Sequence, residues 1–254
     1  MAFSNHDVVI DSPVNNFATI NPLGGQYQSY YNISNGNLQF TNSTYANSVD
    51  YANYLVSSIC FGMDTSFYFE VLVPNLGSSS GGFAGIFQIE TVNPTIQYGR
   101  PQGGGATHNA VYNWSNFGTN KESIVRKNSN GETKYSTLSS LTSSTVQGLF
   151  YNSVDKTFSY YYDGVLQFSV DISMFDENYP LTPIFNSHLG EVRLNFGQDQ
   201  TFGGAKTDGG GYTDANGMGQ FNHSTAFDNG ALALCTKNIP SGPIDVHNDD
   251  VPAD

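Results

Sequence analysis

Short runs of alternating apolar and polar residues, each closed by Gly, Pro, Asn or Asp, recur along most of this chain. Residues 1 to about 15 show little periodicity and include the turn signal Asp11-Ser12-Pro13, so they read as an N-terminal arm. From Asn16 onward the runs are strand-like, with Asn35-Gly36 preceding Asn37-Leu38-Gln39-Phe40. Phe67-Tyr68-Phe69-Glu70-Val71-Leu72-Val73 stops at Pro74, where a strand can end because proline has no N–H to donate. Gly77 to Gly82 is a polar loop, and Phe83 to Ile89 the next strand. The clearest hairpin joins Phe158 to Tyr162 and Val165 to Val170 across Asp163-Gly164, a pair that takes positive φ and matches strand twist in a type I′ turn. Val146 to Tyr151 is the strand before it.

Near the C-terminus, Val192 to Asp199, a long Gly-rich loop and the run Ala231-Leu232-Ala233-Leu234-Cys235 read as strand, loop and closing strand. Residues 93–145 are the least regular, with Pro94, Pro101, Gly103-Gly104-Gly105 and Asn130-Gly131. They predict long loops with one or two short strands, the kind of segment that carries function. No stretch sustains a 3.6-residue period over helical length. No repeat or second core emerges. The spacing predicts one all-β domain, a sandwich or a barrel.

Composition supports a packed core. Aromatics make up 14% of the 254 residues, far above a disordered composition, and β-branched and aromatic side chains suit a half-buried pleated surface. Charge is sparse at 12% and its placement matters more than the net value of -13. The first basic residue is Arg100, five of the nine lie between Arg100 and Lys134, and none follows Lys237. Binding a phosphate backbone or an anionic bilayer needs clustered Lys and Arg, so neither nucleic acid nor a membrane surface is an expected partner. The N-terminus lacks the basic and apolar regions of a signal peptide, and no stretch is apolar enough to span a bilayer. Cys60 and Cys235 both sit in apolar runs and read as buried small hydrophobes, with a disulfide left open.

Catalytic signatures are weak. There is no nucleophile elbow, and His6, His108, His188, His223 and His247 are not spaced as zinc ligands, so no metal or cofactor is expected. Asp214-Ala215-Asn216-Gly217 resembles the start of a calcium loop without its closing Glu and reads as a turn. A glycosidase needs two carboxylates flanking the scissile bond. The strand Phe67 to Val73 offers only Glu70, and Asp171 has no carboxylate two residues away, leaving only a meeting across strands. Glu70 itself reads as a paired or edge carboxylate. The candidate ligand-binding set is Tyr98, Arg100, Gln102, Asn109, Tyr112, Asn113, Trp114, Asn116 and Phe117. Its aromatics could stack on sugar C–H faces while its amides fix the rim; the competing reading of each aromatic is core packing.

Several segments together resemble SPRY-type sandwich modules, in the form found in virion proteins of bacteriophages and algal viruses. Asn16-Phe17-Ala18-Thr19-Ile20-Asn21-Pro22-Leu23 looks like the module's opening strand, and Ser34-Asn35-Gly36-Asn37-Leu38 like its next turn. Phe67-Tyr68-Phe69-Glu70-Val71 is similar to an aromatic strand that carries Trp where this chain has both Phe residues. Phe158 to Val165 resembles the module's hairpin, with Tyr162-Asp163 in place of Lys-Asn. The nearest matches are Leu194 to Asp199, Thr201 to Thr207 with Asp214 to Gly217, and Leu232 to Pro240. The strand Gln147 to Tyr151 departs most, being more polar and aromatic.

The resemblance spans about residues 16–244. It implies an all-β, two-sheet antiparallel SPRY-like (concanavalin-like) sandwich without enzymatic activity that binds through loops at one end or edge. It implies a virion structural protein: a capsid decoration, fibre or spike component. The expected organisation is an arm at 1–15, the sandwich at 16–244 and an acidic tail at 245–254. The expected partners are other virion proteins reached through the arms, copies of the chain itself, and a surface glycan. A soluble lectin or host-interaction module is the alternative, and a sandwich glycosidase the third reading.

Overall fold

The computed structural model describes residues 16–26, 31–42, 54–75, 81–88, 109–116, 120–127, 131–137, 141–187, 190–207, 209–235 and 238. These fold into two sheets, whose pairings within each run are antiparallel. One carries, in spatial order, β1 (Ile20–Gln26), β4 (Tyr54–Ser57), β13 (Leu181–Ser187), β6 (Gly81–Gln88), β7 (Ala110–Asn116), β8 (Asn120–Lys127) and β9 (Gly131–Thr137). The other carries β12 (Val165–Asp171), β11 (Thr157–Tyr162), β10 (Val146–Asn152), β5 (Phe67–Leu72), β14 (Gly190–Asn195), β3 (Gln39–Asn42) and β2 (Tyr31–Ser34). The fold is therefore the two-sheet antiparallel β-sandwich that the sequence implied.

Alternation fixes the layers. Phe67, Phe69 and Val71 of β5 face the inter-sheet core with Leu149, Tyr151, Phe158, Tyr160, Ile86, Val111 and Phe185. Phe69 meets Phe185 of the opposite sheet edge-on, with ring centroids 5.8 Å apart. Tyr68 belongs to a second cluster on the outer face, with Phe150 and Tyr161. Every residue of β5 is buried, so this strand is covered on both sides.

Polar bridges cross between the sheets near both flanks. Asn113 of β7 donates to Gln147 of β10 at 3.1 Å and to the Tyr162 hydroxyl of β11 at 3.3 Å. Towards the other flank, Asn186 of β13 donates to the Tyr31 hydroxyl of β2 at 3.0 Å, and Asn42 of β3 donates to the Ser187 carbonyl at 2.8 Å. The two strand orders as given therefore run in opposite senses, and β9 and β12 lie on one flank of the sandwich.

The hairpin expectation holds: Asp163 and Gly164 take φ of 46° and 77° between β11 and β12. Residues 93–145 require correction. In place of the expected one or two short strands, the region contains three of seven or eight residues, β7, β8 and β9, a meander that extends the sheet outward from β6. Its polar content (Asn-Lys-Glu-Ser in β8, Glu-Thr-Lys in β9) hides the strands from a hydrophobic pattern. β13 is also unannounced because it contains Pro183. The chain accommodates it because Leu181, two residues earlier, exchanges backbone hydrogen bonds with Phe61, while the β4 pairing begins only at Ile184. Pro183 nitrogen thus faces a gap in the ladder, where no donor is needed.

The closing strand is smaller than expected. Only Leu232–Ala233 forms a strand, β15, and it pairs with β5 in parallel. β14 holds Glu70 to Leu72 of β5, and β15 takes Phe67 and Tyr68 on the same edge. Cys235 bridges to Phe17. The two cysteines are buried and not joined in a disulfide, and burial pushes the Cys60 thiol up to about 11. The N-terminal arm and the acidic tail lie outside the described residues.

Gly85 of β6 allows the tight approach of β7: a Cβ there would meet the Val111 carbonyl oxygen at 2.1 Å and Tyr112 Cα at 2.6 Å. Both obstacles are backbone and cannot swing away. Gly85→Ala is expected to cost about 2–3 kcal/mol, measured as a fall in the urea midpoint with unchanged m-value. An unchanged midpoint would contradict this packing.

Candidate functional site

Glu70 is the sharpest chemical feature. It sits on a central strand, two residues from Tyr68, and so points to the outer face of its sheet. It is fully buried. The expectation of a paired or edge carboxylate is corrected: no cation is among its partners, and neutral N–H and O–H donors surround it instead. One oxygen, Oε1, accepts from Asn222 N–H at 2.9 Å, His223 N–H at 3.1 Å and the Tyr68 hydroxyl at 3.2 Å. Oε2 accepts from Asn195 Nδ2 at 3.0 Å and Asn222 Nδ2 at 3.2 Å. Hydrogen bonds to a charged acceptor contribute about 1.5–3 kcal/mol each, offsetting the cost of burying the charge.

Asn222 and His223 belong to segment 196–231, which leaves the β5 edge after Asn195 and returns to the same edge at Leu232. Asn195 is its pivot. The side-chain oxygen accepts from Gly197 and Asp199 N–H at 2.8 and 3.2 Å, and Nδ2 also donates to the Gln220 carbonyl at 2.8 Å. Two further carboxylates hold the segment internally. Asp199 accepts from Thr201 N–H at 2.8 Å, from its hydroxyl at 2.6 Å, and from Gly203 N–H at 2.5 Å. Asp214 accepts from Asn216 and Met218 N–H with one oxygen, and from Ala233 N–H and Asn238 Nδ2 with the other, at 2.6–2.9 Å. The Asp214 segment is therefore a turn, as its sequence suggested.

Underneath, Phe221 and Phe227 pack on Tyr68 with centroids 5.6 and 5.2 Å away, joined by Phe17, Phe150, Tyr161, Ala231 and Ala233. The segment is thus a lid of protein sealed to the sheet by apolar contacts, with Glu70 as its polar anchor. All the donors facing Glu70 occupy both its oxygens, so the arrangement holds a loop in place and presents no free carboxylate to a substrate.

The predicted ligand-binding set is only partly placed. Asn109, Tyr112 and Asn113 are buried. Asn109 donates to Gln88 at 2.9 Å, Asn113 turns into the sandwich, and Tyr112 packs among Tyr54, Phe87, Ala110 and Ile184. Trp114 and Asn116 lie on β7. Tyr98, Arg100, Gln102 and Phe117 fall outside the described residues. Asn109 and Asn113 turn towards the other layer, whereas Tyr112, between them in the alternation, is buried on the outer face of its own sheet. Among the described residues, no group of three His, Cys, Asp or Glu side chains is placed to hold a metal ion, and no helix is long and apolar enough to cross a membrane.

Sequence reasoning missed Asn195 and Asn222 as the partners of Glu70. One signal existed: an acidic residue at an alternating position of an aromatic strand requires donors from elsewhere. Nothing in Gln220-Phe221-Asn222-His223 marks it as their source.

No family model matches the chain, and no curated protein matches it. Solved structures do. Among the solved structures it resembles are SPRY domains. The PSpry domain of TRIM65 is 11% identical with a TM-score of 0.49, over 70% of this chain and 89% of that one. The SPRY domain of human HERC1 is 13% identical with a TM-score of 0.47, over 69% and 96%. A further human SPRY domain is 16% identical with a TM-score of 0.45, over 67% and 96%.

Burial pushes the Glu70 carboxyl up to about 7 from an ordinary value of 4.5, against the pull of its donors from Asn222, Asn195 and His223. The folded chain then holds this proton more tightly than the unfolded one. The resulting stabilisation is complete below pH 4.5 and is lost as pH rises through 7, a swing of about 3 kcal/mol. Thermal melts are expected to show Tm falling from about pH 5 to about pH 8. Glu70→Gln should flatten that slope and lower Tm at the acid end, because its amide N–H groups would face other donors. A slope that survives in Glu70→Gln would assign the titration to another group.

Proposed function

We propose that the chain is a non-enzymatic binding and structural module, serving as a capsid decoration, fibre or spike component of a virion. The observation that carries the non-enzymatic part is the use of the buried carboxylates. Glu70, Asp214 and the half-buried Asp199 are committed to holding segment 196–231 against its sheet. A sandwich glycosidase instead needs two carboxylates open to a sugar between them. No second carboxylate is among the hydrogen-bond partners of Glu70 described here.

The virion assignment rests on the sequence resemblance. Its support is that the resembling segments converge: Leu194 to Asp199, Thr201 to Thr207, Asp214 to Gly217 and Leu232 to Cys235 build one lid and its anchor. Contacts with other particle proteins through the terminal arms, and with a surface glycan, belong to the same proposal. No observation favours the lectin alternative, since Asn109, Tyr112 and Asn113 are buried.

Mass spectrometry of purified particles is expected to find the chain at structural copy number, and a particle map to place the sandwich on the outside. Particles that lack the chain would overturn the virion reading. Turnover of a polysaccharide that Glu70→Gln abolishes without unfolding would overturn the non-enzymatic one.

A further inference from the structure

The chain enters and leaves the sandwich side by side. Phe17 bridges Cys235 in antiparallel register, and Ala18 N–H donates to the Leu234 carbonyl at 2.9 Å. Phe17 and Cys235 both belong to the apolar cluster on the outer face of the β5 sheet, with Tyr68, Phe150 and Phe221. Asn238 is held on the same face: its Nδ2 donates to Asp214 at 2.6 Å and to the Ala233 carbonyl at 2.9 Å.

One element of the lid touches both exits. Tyr212 and Phe221 exchange backbone hydrogen bonds at 3.1 and 2.9 Å and close a hairpin. At its turn, Asn216 Nδ2 donates to Asn238 Oδ1 at 2.7 Å. Near its other end, Phe17 and Gly219 meet over Gly197, where a Cβ would lie 2.5 Å from the Phe17 ring and 3.0 Å from Gly219 Cα.

The surface of this hairpin stands out in a chain of net charge -13: from Gly209 to Gln220 the only charged side chain is Asp214, which is buried. Tyr212, Thr213, Asn216 and Gln220 are exposed there among glycines, Tyr212 at 43%. Loss of charge around an aromatic anchor marks the centre of protein–protein contacts, and Tyr, Asn and Gly together supply rigid contact area with adaptable hydrogen bonding. The surface is also pre-formed. Asp214 holds the turn through Asn216 and Met218 N–H, Gln200 Oε1 accepts the Gly211 N–H at 2.6 Å, and the Tyr212 ring lies so close to Gly210 that a Cβ there would meet it at 2.2 Å. A surface already ordered loses little freedom on docking.

We infer that the Tyr212–Phe221 hairpin is the face by which the module docks on the protein that takes up its terminal segments, against an uncharged surface of that protein. Both segments leave the sandwich in contact with the hairpin, so the body that receives them is brought against it. The sheet that carries β6 and β13 then faces away from the partner. This inference rests on the reading of the chain as a particle component attached through its arms.

Purified particles supply the test. Thr213→Lys sets a charge on the uncharged face and should lower incorporation at least about tenfold, because the charge is buried without a partner. Val154→Lys, at an 87% exposed position after β10, should leave incorporation unchanged. Far-UV circular dichroism verifies folding, and Gln220→Lys supplies a second charge where Thr213→Lys does not fold. Hydrogen peroxide should oxidise Met218 several-fold more slowly in particles than in free chain, whereas Met174, equally half-buried but on the connection after β12, should react alike in both. The contact should survive sodium chloride at about 0.5 M. Normal incorporation of both lysine variants, equal oxidation of Met218 in the two states, or release by salt would overturn the inference and leave the particle reading standing. Particles without the wild-type chain would sink that reading and this inference together. Selective glycan binding by purified chain that Tyr212→Ala abolishes would assign the face to a sugar and overturn the inference as well.

Discussion

A carboxylate buried on a central strand without a cation constrains everything above it. Glu70 could be accommodated in only two ways, by a positive partner or by a shell of donors, and the chain uses the second. Supplying those donors requires backbone N–H groups of Asn222 and His223 to arrive at one place together with two asparagine amides. That in turn fixes the path of segment 196–231, the start of β15 and the seating of Phe221 and Phe227 on Tyr68. Because Glu70 and Tyr68 are same-face neighbours on β5, the polar anchor and the apolar seal lie side by side. Neither would order so long a segment alone. Apolar contacts tolerate sliding, while a set of directional donors does not.

The sheet adapts to the same constraint. β14 stops at Asn195, whose side chain serves Glu70 and the first turn of the segment, so the remaining edge of β5 is left to β15. A parallel two-residue strand is weak by itself. Here Asp214 accepts the Ala233 N–H and Asn238 Nδ2, so the strand is held from behind as well as from its edge.

The legible parts of the sequence were those in which a local rule acts alone. The period-two aromatics of β5, the Asp163-Gly164 turn and the alternation of β10 to β12 marked their strands because each obeys one strong preference. The meander β7 to β9 was obscured because its outer strands are polar, and an edge strand need not be apolar to pair through its backbone. β13 was obscured by Pro183, which is tolerated only because of a gap in a ladder that tertiary structure alone creates. The amides and aromatics of Asn109, Tyr112 and Asn113 looked like a binding rim because polarity in sequence does not say which way a strand faces. Glu70 was visible, but its partners Asn195, Asn222 and His223 lie more than a hundred residues away and carry no local mark.

The polar bridges between the layers have a mechanical consequence. Two greasy sheets pressed together resist separation but hardly resist shear, since one apolar neighbour is nearly as good as the next. Asn113 reaching Gln147 and Tyr162 near one flank, and Asn186 and Asn42 reaching across near the other, act as two dowels set apart in a laminate. One dowel would stop translation and still permit rotation about itself; two stop both. The crossing angle of the sheets is thereby fixed by a handful of amides, and with it the spacing and alignment of the strand edges along each side of the molecule.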